Sequence, residues 1–597
     1  MATQEKREPG ESAKPAARGR DGDTLPSVHG MAGGPSNLLG ARALPGGRAR
    51  QATRVFLQLA LIALAAHHAA ITVTQYLANQ FYTHDVGHLD YMFYYTWHGR
   101  FFWSIVYEIS HFAKHFTPSL VLLVPVHALS RHVLCLPILE GLAVVSGAWA
   151  VAWMFDGVLR RGRGRMLLFQ GRGAGGARLS PLGLAAGWLY VCNPYTGSVL
   201  LANHFESFAV GLSLWALAAL ANGKKNLFWL LLVLALGVKE DLALGWIAFG
   251  AWWVFFGWER PRRGPAGRRA GLACALRGGG AATSVASAAL PPFPATSVAS
   301  AWKTRLRLGA AIMAVSAAWL VLALLSVRAV ARLSDVSSLE YARRYEWLGG
   351  TPLEALENVV FRSRLLWTIP YRAGALFLWT VLFLPLLAPS TLLALIPAVY
   401  LMGLSGRDTM SEFMYYYSYP VLPFLCLGAV LGLSRVARWS GRVARKRKGA
   451  RGRGPYAGAT IVIFLSGVLL LLQPTHTDGK RRLLERPRPR HSWIRLALRE
   501  AIPPDASVCA QFDLLCQMPH RREIYPLSEK NLDRADYWVL DRKGFLGDVD
   551  SLAYQRILNR AAELVRAGRA RIVVDRSDLL IVRRLRESPK GAGGEGA

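Results

Sequence analysis

Residues 228–256 read FWLLLVLALGVKEDLALGWIAFGAWWVFF, with Lys239, Glu240 and Asp241 side by side near the middle of an otherwise apolar run. One helix crossing a bilayer here would hold three ionisable groups near the mid-plane, at about 3 kcal/mol each. A crossing needs roughly 20 apolar residues. Residues 227–256 are therefore long enough for two short or tilted crossings that meet at a charged turn. The rest of the chain agrees with a polytopic reading. Apolar blocks recur from Phe56 to Leu472, and 52% of the 597 residues are hydrophobic. That composition is too apolar for one soluble domain.

The formal net charge of +33 is distributed in short basic segments between the apolar blocks: RRGRGR (160–165), GKKN (223–226), ERPRRGPAGRR (259–269) and RVARKRKGARGRG (442–454). Such placement marks cytoplasmic loops. No basic patch interleaved with aromatic residues accompanies it, so no nucleic-acid partner is expected. Residues 1–54 are rich in Gly, Ala, Pro and Arg and read as a disordered basic cytoplasmic leader. The first apolar block starts too late for a cleaved secretion signal. Six cysteines, at 135, 192, 274, 426, 509 and 516, have no zinc-like spacing. Only Cys509 and Cys516 lie in a region of soluble character, and spacing alone leaves a disulfide between them open.

Apolar length and basic-loop parity predict about eleven crossings. They fall at residues 56–76, 133–155, 181–201, 208–220, twice within 227–256, then 310–327, 370–387, 391–404, 420–433 and 457–472. The membrane domain is thus 55–473, with an outer loop at 77–132 and a low-complexity cytoplasmic loop at 259–307 where ATSVASA occurs twice. LVLLVPVHAL (120–129) is too short to cross and suits an interfacial helix. An odd count leaves 474–597 outside. There, the β-like runs ASVCAQ, ADYWVLD and RIVVDRSDLLIVRR accompany the helical SLAYQRILNRAAELVRAG, which predicts a small extracytoplasmic α/β domain. The fold class is mainly α.

Four polar, aromatic-rich segments share the outer face. The first loop offers Asp85, His88, Asp90, His98, Glu108, His111 and His115. Asp85 and Asp90 could supply a general base and a charge-stabilising or metal-binding partner; ordinary interfacial polarity is the alternative. HFAKH places His111 and His115 four apart, without the glutamate of HExxH. NHFES contributes His204 and Glu206, while VKED contributes Lys239, Glu240 and Asp241. These read either as helix-end anchors or as one shared pocket with Asp85, because adjacent ionisable groups among leucines and tryptophans need water, counter-charges or a ligand headgroup. Arg343, Arg344 and Arg407 on the same face could clamp a phosphate or pyrophosphate.

Several ordered motifs carry a family resemblance. THDVGHLDYMFYYTWHGRFF (83–102) matches the pattern YDLGxFDQxxWNxxHG, with His84 replacing its tyrosine and Tyr91 its glutamine. HFTP (115–118), NHFES, the Lys239-Glu240-Asp241 triplet, RYEWLG (344–349), IPPDASVCAQ (502–511) and ADYWVLD (535–541) follow in order. The chain resembles the DUF2079 family of bacterial and archaeal multi-pass membrane proteins, related in turn to the GT-C superfamily of glycosyltransferases. The resemblance implies a GT-C-like membrane domain in the cytoplasmic (inner) membrane. It implies a sugar donor on a polyprenyl phosphate, an extracytoplasmic acceptor and inversion at the anomeric carbon. Asp85 is then the catalytic carboxylate and Asp90 its near alternative. His115, His204, Glu206, Lys239, Glu240, Asp241, Arg343, Arg344 and Arg407 are candidates for substrate binding. A divalent cation, Mg or Mn, would fall to Asp85, Glu240 and Asp241. The competing class is a transporter, flippase or scaffold for envelope glycans or lipids, which acidic residues at helix ends serve equally well.

Overall fold

The computed structural model describes residues 45–81, 83–161, 179–257, 296–334, 340–362, 364–413, 415–446, 457–472, 486–543 and 551–585. Most of the expected leader and of the loop at 259–307 lies outside these residues. The described part is mainly helical, with a small C-terminal sheet. The amino-terminal helices are α1 (Pro45–Leu77), α2 (His88–Trp97), α3 (Val124–Ser130), α4 (Cys135–Arg161), α5 (Pro181–Val191), α6 (Pro194–Ala202), α7 (Ser207–Ala221), α8 (Lys225–Leu236) and α9 (Leu242–Phe255).

Among the described residues, four helical stretches are long and apolar enough to cross a membrane: Gln51–Leu77, Cys135–Arg161, Trp302–Leu333 and Leu422–Ser440. Shorter apolar helices include α5, α7, α8, α9 and Gly458–Leu471. Helix α4 is central, with α5 and α7 packed against it. Small residues allow this closeness, as they do generally between membrane helices. A Cβ on Gly187 would stand 2.3 Å from the Ala148 carbonyl oxygen, and one on Gly211 2.4 Å from that of Ala143.

The 228–256 run forms two helices, α8 and α9, parted by the Lys239-Glu240-Asp241 turn. Elsewhere helix continuity departs from the hydropathy reading. The run at 181–201 breaks between α5 and α6, where Asn193 caps α6 by accepting from the Tyr195 N–H and Pro194 follows. Proline has no N–H to continue a helix and disfavours helical geometry in the residue before it. The runs at 370–387 and 391–404 do not form two continuous crossings. They fold as the helix Leu365–Phe377, 3-10 turns at Trp379–Val381, Leu384–Leu387 and Pro389–Leu395, and the helix Ile396–Gly403. Pro385, Pro389 and Pro397 interrupt the backbone ladder, and Leu382 and Phe383 take positive φ. The helix Thr296–Leu333 starts well before residue 310, so it absorbs the end of the expected loop.

The C-terminal region holds strands β1 (Val508–Ala510), β2 (Ile524–Pro526), β3 (Tyr537–Asp541), β4 (Ala570–Arg576) and β5 (Leu579–Arg584). Their order is β2-β1-β3-β5-β4; β1 is parallel to β2 and β3, and β5 is antiparallel to β3 and β4. Side-chain alternation splits the sheet cleanly. Val508, Ala510, Val539, Leu579 and Ile581 pack with Ile494 and Leu498 and with Tyr91 and Tyr95 of α2. Cys509, Trp538, Leu540, Leu580 and Val582 pack with Ile557, Ala561 and Leu564 of the helix Ser551–Arg566. Cys509 and Cys516 are buried free thiols. They sit in different clusters, Cys516 beside Tyr76 and Phe81, which settles the disulfide question against a bond.

The close approach of α4 to its neighbours is testable. Gly187→Val and Gly211→Val should each destabilise the protein by about 1–3 kcal/mol or more through overpacking. Gly458→Ala, with nothing within 4 Å of its Cβ position, should be neutral. Melting of the purified protein in detergent, followed by size-exclusion chromatography, measures the difference.

Candidate functional site

The charged turn between α8 and α9 is held by what surrounds it. The Ser119 N–H donates to the Gly237 carbonyl at 2.9 Å and the Ser119 hydroxyl to that of Leu234 at 2.8 Å. This seats the HFTPS segment of the 77–132 loop on the end of α8. Glu240 then receives the Phe116 N–H at 3.1 Å on one oxygen and pairs with His115 Nδ1 at 3.0 Å on the other. The Tyr419 hydroxyl contacts both oxygens of Asp241, at 2.6 and 2.5 Å. Lys239 is ion-paired with Glu206, with the Phe205 and Tyr419 rings 5.8 and 5.6 Å from its ammonium group. Lys239, Glu240, Asp241, His204 and Glu206 are all buried.

The turn from α6 to α7 supplies the other half. Asn203 adopts left-handed geometry, φ 49°, which asparagine tolerates better than most residues, and its amide donates to Gln75 Oε1 at 3.0 Å. His204 Nδ1 contacts the second oxygen of Glu206, and its ring stacks on Tyr416 at 3.9 Å. Burial, with the Lys239 charge next, holds the His204 imidazole well below the usual histidine range.

Asp85 lies on a π-helical turn, Thr83–Gly87, a conformation frequent at functional sites. Its Oδ1 stands 3.6 Å from His204 Nε2, too long for a hydrogen bond. A hydroxyl at the apex of that gap can reach both atoms. The Asp85 side chain is 28% exposed, against 11% for His204, 5% for Lys239 and 0% for Glu206. Lys239, Glu206, His204 and Asp85 thus line up as a relay whose most accessible member is Asp85.

Asp90 belongs elsewhere. Five residues on along a helix is about 140° round it. Both Asp90 oxygens face imidazoles, His127 Nε2 and His520 Nε2, each at 2.7 Å. Burial raises the Asp90 pKa, but His520 and His127 outweigh it and hold the carboxyl down at about 2.

Of the three arginines, Arg344 is buried, near Met410 Sδ, and close enough to Asp241 for its charge to act there. Arg343 and Arg407 are exposed. Asp85, Glu240 and Asp241 face different partners and do not gather as a cation-binding set. Among the described residues the one such group of three is Asp90, His127 and His520. HFAKH divides as well: His115 turns to Glu240, while His111 packs among His88, His115 and Phe205.

Sequence reading missed Tyr416 and Tyr419, which lie in the aromatic segment before the helix Leu422–Lys446, and His127, a lone imidazole in an apolar piece. It missed His520 and Glu140 too. Glu140 is buried in α4, its two oxygens have no hydrogen-bond partner among the described residues, and the Asp85 charge reaches it. A carboxylate inside a crossing was the available signal.

The Lys239–Glu206 pair yields a direct test. Lys239→Met should destabilise the protein by about 3–5 kcal/mol, because it strands a buried carboxylate. Adding Glu206→Leu should recover much of that loss. A double-mutant cycle read by thermal unfolding in detergent measures the coupling, and additive effects would mean the pair is uncoupled.

No curated protein matches the chain. A family model described as "Predicted membrane protein (DUF2079)" matches residues 79–568, from the end of α1 through the relay and across most of the C-terminal sheet domain. The chain therefore belongs to the DUF2079 family of membrane proteins.

Proposed function

We propose that the protein is an inner-membrane glycosyltransferase of GT-C type, transferring a sugar from a polyprenyl-phosphate carrier to an extracytoplasmic acceptor. The observation that carries this reading is the relay itself. Three separate segments place Asp85, the most accessible of the four residues, at the end of a buried line of polar groups. In this reading Asp85 takes the proton of the acceptor hydroxyl, and the acceptor oxygen attacks the anomeric carbon. The bond to the carrier phosphate breaks, and its electron pair leaves on the phosphate oxygen. His204 orients the hydroxyl. Lys239 is engaged by Glu206, so the buried Arg344 is assigned the developing phosphate charge. Glu240 and Asp241 act as positioning residues through His115 and Tyr419. Asp90 is set aside as the base because both its oxygens are engaged by histidines.

The chain would cross about eleven times, with the shorter apolar helices completing the bundle and the α/β domain outside. Reporter fusions after Gly173, Gly264 and Lys448 should score cytoplasmic, and a fusion after Pro503 external; an external signal at Lys448 would overturn this topology. For the chemistry, protein in lipid vesicles is supplied with labelled polyprenyl-phosphate sugars and candidate acceptors. Glycosidic product without net translocation is expected, with Asp85→Asn lowering turnover about 10²–10⁴-fold, the contribution typical of a general base. Translocation without a new glycosidic bond would support a transporter or flippase, and full activity in Asp85→Asn would remove Asp85 as the base.

A further inference from the structure

We infer that Asp90, His127 and His520 form a binding site for a divalent transition metal of the zinc class, at the joint between the α/β domain and the outer end of the membrane domain. The ligand atoms are two imidazole nitrogens and a carboxylate oxygen, all within 4.8 Å of one another. They come from separate pieces of the fold. Asp90 is in the first turn of α2, His127 in α3, and His520 lies in the loop before β2, 430 residues from Asp90. Asp90 and His127 are buried, and His520 is 15% exposed at its side chain.

The rings are fixed in place. Tyr94 stacks on His520 at 4.8 Å, Tyr91 meets it edge-on at 5.4 Å, and Phe93 lies 5.6 Å from His127. Both histidines turn Nε2, the same nitrogen, toward the same carboxylate. In the metal-free form each Nε2–H donates to one Asp90 oxygen. To hold a metal, each ring would move its single N–H proton from Nε2 to Nδ1, so that the two Nε2 lone pairs and one Asp90 oxygen could serve as ligands.

Donor chemistry selects the ion. Two imidazoles with one carboxylate suit Zn²⁺ and its late first-row neighbours, whereas Mg²⁺ and Ca²⁺ require oxygen-rich shells. Three protein ligands leave a further position for water. This site is distinct from the Asp85 relay, and it stands whether or not the protein transfers sugars. Because the ligands span two regions, occupancy adds a clamp between them and stabilises the folded assembly by mass action. Other contacts already hold this joint. Tyr95 donates to the Arg522 carbonyl at 3.0 Å, Gln517 to that of Tyr76 at 3.2 Å, and Arg495 to that of Leu77 at 2.7 Å. The ion therefore finds its ligands preorganised.

The full chain, purified in detergent without a polyhistidine tag, is stripped with a chelator and titrated with Zn²⁺ and, separately, with Co²⁺. Expected are one Zn²⁺ per chain by elemental analysis, a visible Co²⁺ ligand-field band, and a melting temperature that falls on stripping and returns with Zn²⁺. Asp90→Asn and His520→Ala should each weaken Zn²⁺ binding at least ~100-fold, since loss of a ligand exceeds the ~10–100-fold effect of losing an outer-shell partner. Asp85→Asn and His115→Ala should leave Zn²⁺ binding unchanged. Stripped wild-type protein that neither binds stoichiometric Zn²⁺ nor changes its melting would overturn the site. So would Zn²⁺ retained by His520→Ala and lost in Asp85→Asn or His115→Ala. The wild-type titration does not depend on the variants folding.

Discussion

A lysine buried in an apolar helical bundle has to be answered by a charge, and Glu206 answers Lys239. Removing either ion from water costs several kcal/mol, which only close pairing and further hydrogen bonds repay. That requirement fixes the α6–α7 turn against the α8–α9 turn. The neighbours of Lys239 extend the constraint, because each residue of the triplet tethers a different segment. Glu240 holds the 77–132 loop through His115 and Phe116, and Asp241 holds the stretch before the helix Leu422–Lys446 through Tyr419. Three adjacent side chains thus tie three distant parts of the chain around one buried point.

The same constraint explains why the flanking helices are short. The polar turn has to reach the polar residues of the 77–132 loop and the α6–α7 turn, so α8 ends and α9 begins there. Their apolar faces pack laterally, α8 on α7 and α9 on the helix Thr296–Leu333. Glycine-mediated contacts carry that packing. Gly250 and Gly309 face each other across the α9 interface, each with its Cβ position within 3 Å of the other's carbonyl oxygen. Close backbone approach and the buried ionic centre are therefore parts of one arrangement.

Much of this was legible because charge and hydropathy are strong, local signals. The split of 228–256 into two helices follows from three ionisable residues in one apolar run, and the meeting of Asp85 with His204 follows from placing both loops on one face. What hydropathy could not show was backbone continuity. Residues 370–404 are apolar enough for two crossings, yet prolines set their path. Nor could it show helix phase. Arg343 and Arg344 are chemically identical neighbours, and only the turn of a short helix decides that the second is buried. Long-range partners left no trace either, since nothing in the sequence around His520 announces Asp90.

The two aspartates Asp85 and Asp90 show how phase divides labour. Asp85 turns to the relay within the membrane domain, while Asp90 turns to His127 and to His520 beneath the sheet. The element that links them is α2, whose Tyr91 and Tyr95 also enter the apolar cluster under β1 and β3. A shift of the α/β domain relative to the helices has to break the His520–Asp90 contact, the Arg534–Glu108 ion pair and that cluster together. Since α2 follows directly on the π-helical turn that carries Asp85, the relay and the apolar cluster under the sheet are anchored on one continuous stretch of chain.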